Sequence, residues 1–144
     1  MTGTPLISVI APSYHDWPRA RMLVAALLAQ SVTDFEILLV NNAPDDPPPA
    51  DFPQDPRLQI LTEARPGSYA ARNRGAASAR GRFLAFTDSD CLPNPDWLAA
   101  FLHCAESHDG LISGAVQMFS TAHDMTNLNW AESYDFFFGI NQDI

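Results

Sequence analysis

The sequence predicts an α/β fold: a mostly parallel sheet with helices on both faces. Two patterns carry that reading. Short apolar runs of strand length recur along the chain, and stretches with apolar residues at helical spacing lie between them. Strands joined through helices pair in parallel and are covered on both faces. The third observation is size. With 144 residues, 47% of them apolar, the chain makes one domain or part of a larger one and can bury a core.

The elements follow in order. Leu6 to Ala11 is a β-branched run that reads as a buried strand, stopped by Pro12. Ala20, Leu23, Val24, Leu27 and Leu28 then form a helical stripe that should pack on a sheet. Phe35 to Val40 is a second strand, ended by Asn41-Asn42. Residues 43–56 carry six prolines and four aspartates, which reads as a surface loop. Leu58 to Leu61 is a third strand. Gly67 to Ala79, rich in small residues, reads as a helix lying close to the sheet, with Ser68 as its N-cap. Arg82 to Thr87 is a fourth strand. Asn94-Pro95 starts a helix that places Trp97, Leu98, Phe101, Leu102 and Ala105 on one face. Leu111 to Phe119 is expected as a fifth strand.

Composition removes several functions. Seventeen acidic residues against eight basic ones give a formal charge of −9, a poor surface for general nucleic-acid binding. All eight bases are Arg, so a Walker-type phosphate loop and a Schiff-base lysine are excluded. No apolar run reaches the roughly 18 residues of a membrane span, and the first five residues do not resemble a signal peptide. Cys91 and Cys104 make neither a metal spacing nor a disulfide framework. The expected setting is the cytoplasm, or the membrane periphery for a full-length protein.

In an open parallel sheet, ligands bind beyond the carboxyl ends of the strands. That edge gathers Pro12-Ser13-Tyr14, Asn41-Asn42, Asp88-Ser89-Asp90 and the start of the Gly67 helix. Asp88 and Asp90 place two carboxylates in one small volume, where like charges call for a cation or donor between them. Mg²⁺ or Mn²⁺ takes one or two carboxylates, keeps waters and completes its shell with phosphate oxygens. A solvated turn has the same composition. Arg72 sits in the first turns of a helix whose N-terminus favours an anion, so its donors could meet a diphosphate or a base carbonyl. Arg80 and Arg82 read as solvent-facing charges that offset neighbouring acids. Tyr14 could stack on a planar base or cover the rim of the core. The amides of Asn41 and Asn42 suit the edge of a base, and a plain turn explains them equally. His15, His103, His108 and His123 show no metal spacing and read as surface or rim residues, while Cys91 reads as packing. The aromatic cluster of Trp130, Tyr134 and Phe136-Phe137-Phe138 reads as core.

Four motifs in order carry a resemblance. They are Ile7 to Tyr14 with Gln30 to Asn42, Ala71-Arg72-Asn73-Arg74-Gly75, Gly81 to Asp90, and Pro93 to Leu98. Over about residues 6–105 the chain resembles family 2 glycosyltransferases with the GT-A (Rossmann-like) fold. The resemblance implies a nucleotide-sugar-binding domain over 1–119, with 120–144 the start of an acceptor-side segment that is cut short. It implies that Pro12, Ser13, Tyr14, Asn41 and Asn42 line base and ribose, and that Arg72 reaches the nucleotide. Asp88 would hold ribose or metal, Ser89 would lie on the donor, and Asp90 would be a ligand of Mn²⁺ or Mg²⁺. The implied reaction is inverting, metal-dependent transfer of a sugar from a nucleotide-diphosphate sugar to a hydroxyl of a saccharide or lipid-linked acceptor. Two features depart from the family pattern: amides at Asn41-Asn42, where Asp is usual at one or both, and Cys91 where many members have a further acid. The family's catalytic base lies beyond the fifth strand, and Glu132 and Asp135 come too early to supply it. The expectation is an N-terminal piece that binds donor without turnover, or otherwise a non-catalytic nucleotide-binding module.

Overall fold

The computed structural model describes residues 3–107 and 110–116. The chain divides into two compact units, Met1–His103 and Cys104–Ile144. Four parallel strands, β1 (Ile7–Ser13), β2 (Phe35–Asn41), β3 (Leu58–Thr62) and β4 (Phe83–Phe86), form a sheet in the order β3-β2-β1-β4. Between and after them run α1 (Trp17–Leu28), α2 (Ser68–Ser78) and α3 (Trp97–Ala105).

The two central strands are buried along their whole length, because helices cover both faces. On one face Ile7, Val9, Ala11, Ile37 and Leu39 pack with Ala20, Leu23, Val24 and Leu27 of α1 and Leu98 of α3. On the other face Ile10, Leu38, Val40 and Leu61 pack with Ala71 of α2. Each buried Leu or Ile contributes about 1.5–3 kcal/mol. The small residues of α2 set its distance from the sheet. A Cβ on Gly75 would sit 2.5 Å from Ile10 Cγ2 and 3.3 Å from Val40 Cγ2.

Several boundaries differ from the sequence expectation, each for a physical reason. β1 does not stop at Pro12 but continues to Ser13, with Pro12 in register with Val40. The Leu6 and Ile10 carbonyls accept from Phe83 and Thr87 on the β4 side, and the Ser13 carbonyl accepts from Asn42 on the β2 side. Pro12, in phase with Leu6 and Ile10, therefore turns its donor-less nitrogen past the end of β4, where no ladder bond is lost. The cap of α2 is Gly67, not Ser68. With φ of +109° it lets the chain turn so that its carbonyl accepts from Ala70 and Ala71. α3 begins at Trp97, later than Asn94-Pro95, and its early amide at Leu98 is capped by the Oε1 of Gln30, at 3.0 Å. Gln30 also donates to the Asn94 carbonyl at 2.7 Å, and Ser31 N donates to the Pro95 carbonyl, so the segment before α3 is tied to the end of α1.

The expected fifth strand is absent over residues 111–116, and 117–119 lie outside the described residues. So do His108, His123, Trp130, Glu132, Tyr134, Asp135 and Phe136-Phe137-Phe138.

At the start of β1 and β2 the core contains one polar knot. Glu36, buried, accepts from Ser8 Oγ at 2.7 Å and from Arg80 N, Nε and Nη2, while Gly81 N donates to Ser8 Oγ. Burial pushes the Glu36 carboxyl up. The hydrogen bonds from Ser8 and Arg80, with the Arg80 charge, outweigh it and hold the group below its ordinary value. Arg80 is thus the exposed half of a buried anchor, and Arg82 lies over the Phe83 ring at 4.9 Å.

Candidate functional site

The strand order reverses at β1, with β2 and β3 to one side and β4 to the other. Such a reversal opens a crevice beyond the carboxyl ends of the strands. There a cleft of about 480 Å³ is lined by Pro12, Ser13, Tyr14, Asp16, Arg19, Asn42, Pro66, Gly67, Ser68, Asp88, Ser89 and Asp90. Pro12, Ser13, Tyr14, Asn42, Asp88, Ser89 and Asp90, expected at this edge, meet in it with the start of the Gly67 helix. Asn41 does not line it, and Arg72 reaches it through Asp88, to whose Oδ1 its Nη2 donates.

Each wall has a local cause. After β4 the chain turns on the Cys91 N–H, which donates to the Asp88 carbonyl at 3.1 Å, so Asp88 and Asp90 both project at the rim and are exposed. The Cys91 thiol lies 3.9 Å from Asp90 Oδ1. No side chain caps α2, and its first residues line the cleft, so its amide dipoles point at the space where an anion would lie.

The two asparagines are buried and engaged by the protein itself. Asn42 Nδ2 donates to the carbonyls of Glu63 and Arg65, each at 2.7 Å, and its Oδ1 accepts from Gly67 N at 2.9 Å. Asn41 Oδ1 accepts from Ala43 N, and its Nδ2 donates to the Asp46 carbonyl, both at 2.9 Å. These amides therefore shape the loops around the cleft. Glu63 continues the support. The hydrogen bonds from the Arg65 side chain, then those from its backbone N–H, hold its carboxyl at about 2.

Sequence reasoning missed Asp16 and Arg19. Asp16 caps α1, accepting from Arg19 N at 3.2 Å, and pairs with the Arg19 guanidinium. An Asp two residues before Pro18 was the available signal.

Asp88 and Asp90 offer the hard oxygen donors that Mg²⁺ or Mn²⁺ prefers, together with water and phosphate oxygens. Among the described residues no group of three or more His, Cys, Asp or Glu side chains gathers. The donor set fits an ion completed by a bound phosphate better than a closed protein cage.

Sheet order, helix placement and the cleft at the switch point define an α/β protein of the GT-A type. The chain belongs to glycosyl transferase family 2, whose model matches residues 8–142. Curated relatives include AglE, a glycosyltransferase of Haloferax volcanii, 37% identical over 106 residues, which are 68% of this chain and 35% of that protein. Another is the uncharacterized glycosyltransferase EpsJ of Bacillus subtilis, 36% identical over 60% of this chain and 26% of its own length. The chain thus spans about a third or less of these relatives. Among solved structures, TarS of S. aureus matches 71% of this chain and 32% of its own with a TM-score of 0.59 at 22% identity, a likeness of fold. The mannosyltransferase PcManGT of Pyrobaculum calidifontis, solved with GDP-Man and Mn²⁺, matches 68% of this chain and 31% of its own at 26% identity and a TM-score of 0.55. Among the described residues no helix is long and apolar enough to cross a membrane.

Proposed function

We propose that this chain is the donor-binding part of an inverting glycosyltransferase that moves a sugar from a nucleoside-diphosphate sugar to an acceptor hydroxyl. The observation that carries this is the convergence of Tyr14, the start of α2 and the Asp88–Asp90 turn on one cleft. An aromatic face, a helix N-terminus and paired carboxylates suit a base, a diphosphate and a divalent ion in turn. A structural neighbour, the mannosyltransferase solved with GDP-Man and Mn²⁺, supports a nucleotide-sugar donor and a divalent ion as the class of ligand.

In this reading Tyr14 stacks on the base, and Pro12, Ser13 and the loop held by Asn41 and Asn42 border base and ribose. Arg72, freed from Asp88, reaches the nucleotide. Asp90, with Asp88, would hold Mn²⁺ or Mg²⁺, whose chemistry is to neutralise charge on the departing diphosphate. In the transfer, the acceptor oxygen bonds to the anomeric carbon as the bond to the diphosphate breaks, and a carboxylate base takes the hydroxyl proton. The acceptor in this reading is a saccharide or a lipid-linked acceptor.

Calorimetry with UDP, GDP and dTDP, each with and without Mn²⁺, tests this. One nucleotide binds preferentially and more tightly with metal, and Asp90→Ala removes the metal-dependent part. Base-indifferent binding without metal dependence, or unchanged curves for D90A, overturns the proposal.

A further inference from the structure

His15 is the one non-glycine residue with positive φ among the described residues, at +50°. Histidine enters the left-handed region more readily than most side chains, and a backbone stays there when its surroundings over-determine it. Here they do. The His15 Nδ1–H donates to Asp46 Oδ2 at 3.2 Å. The carboxylate can only accept, so this contact assigns the proton to Nδ1. The His15 ring meets Tyr14 edge-on, with centroids 4.4 Å apart and planes at 70°. Asp46 is itself placed by Asn41, which binds its carbonyl, and by its own N–H, which donates to the Ala43 carbonyl. A continuous chain of contacts thus runs from the end of β2 through Asp46 and His15 to Tyr14.

Tyr14 needs such support. It lines the cleft yet is 67% exposed, so core packing does little to hold its ring plane. A stacking ring already held in its bound orientation loses less rotamer freedom when ligand arrives. We propose that His15 is a positioning residue: anchored by Asp46, it holds the Tyr14 ring in the plane that stacks on the nucleotide base. The inference rests on the reading that Tyr14 stacks on that base.

The test is a double-mutant cycle in the 144-residue chain, titrated with UDP, GDP and dTDP in the presence of Mn²⁺. His15→Gly suits the positive φ and removes the ring; His15→Asn also tolerates that backbone and serves as the second variant. Each should weaken the preferred nucleotide roughly two- to tenfold, the range expected of one aromatic pair. Asp46→Ala should do the same and add little to His15→Gly. In a Tyr14→Ala background, the loss from His15→Gly should vanish. If Tyr14→Ala weakens binding but both His15 variants bind like the parent, the positioning role is wrong and base stacking stands. An undiminished His15→Gly loss in the Tyr14→Ala background also overturns the positioning role. If Tyr14→Ala binds like the parent, the stacking reading itself fails and the inference goes with it.

Discussion

The Asn42 side-chain oxygen accepts from the Gly67 backbone N–H at 2.9 Å, tying the loop after β2 to the cap of α2. The same amide donates to the Glu63 and Arg65 carbonyls. Only a group with both a donor and an acceptor can do this. A carboxylate at this position could accept from Gly67 but would face two carbonyl oxygens with nothing to donate.

Asn42→Asp is therefore expected to destabilise the fold by about 2–3 kcal/mol near neutral pH. Burial and the two carbonyls would raise the new carboxyl above its ordinary range. A group whose folded pKa is raised costs stability as pH rises, so the deficit should shrink on acidification. Urea unfolding of both proteins at pH 7 and pH 4.5 checks the size and its direction.

Glu63 gives the opposite pH sign. Its carboxyl, ordinarily near 4.5, is held at about 2 by Arg65. A depressed carboxylate stabilises fully above its unfolded value and loses that contribution as pH falls toward the folded one. The parent should therefore lose stability between about pH 4.5 and 2 relative to Glu63→Gln, and the gap between them should level off below that window. Parallel denaturant series over this range measure it; a pH-independent gap would contradict the Arg65 pairing.

Gly75→Ala sets two effects against each other. In a solvent-facing helix the change gains about 1 kcal/mol. Here the new methyl would lie 2.5 Å from Ile10 Cγ2, and overpacking of that kind costs about 1–3 kcal/mol. The second effect should win, lowering the unfolding midpoint, whereas an exposed control such as Ala77→Gly should fall by the propensity term alone.

Arg72→Ala frees Asp88 from its counter-charge. Without the guanidinium the two carboxylates should hold Mn²⁺ more tightly in the absence of nucleotide, because a competing cation is gone. Nucleotide affinity should fall by about tenfold or more, the loss typical of a charged hydrogen bond. Titrating metal and nucleotide separately distinguishes these opposite changes; a fall in both would show that Arg72 chiefly supports the fold.

The kinds and order of the elements, and the sheet edge at which the site lies, are written locally. Short apolar runs identify the strands and apolar residues three to four apart the helices, and strands joined through helices point their carboxyl ends the same way. Pro12 to Tyr14 and Asp88 to Asp90 could be matched in sequence because each lies at the carboxyl end of a strand. The partners of the polar groups were decided only in the folded chain. Gln30 caps a helix that starts 67 residues further on, Glu36 anchors Arg80, and Asn42 and His15 take partners from other loops. An amide or an imidazole has the same donors and acceptors in any turn, and which atoms they meet depends on segments that only folding brings together.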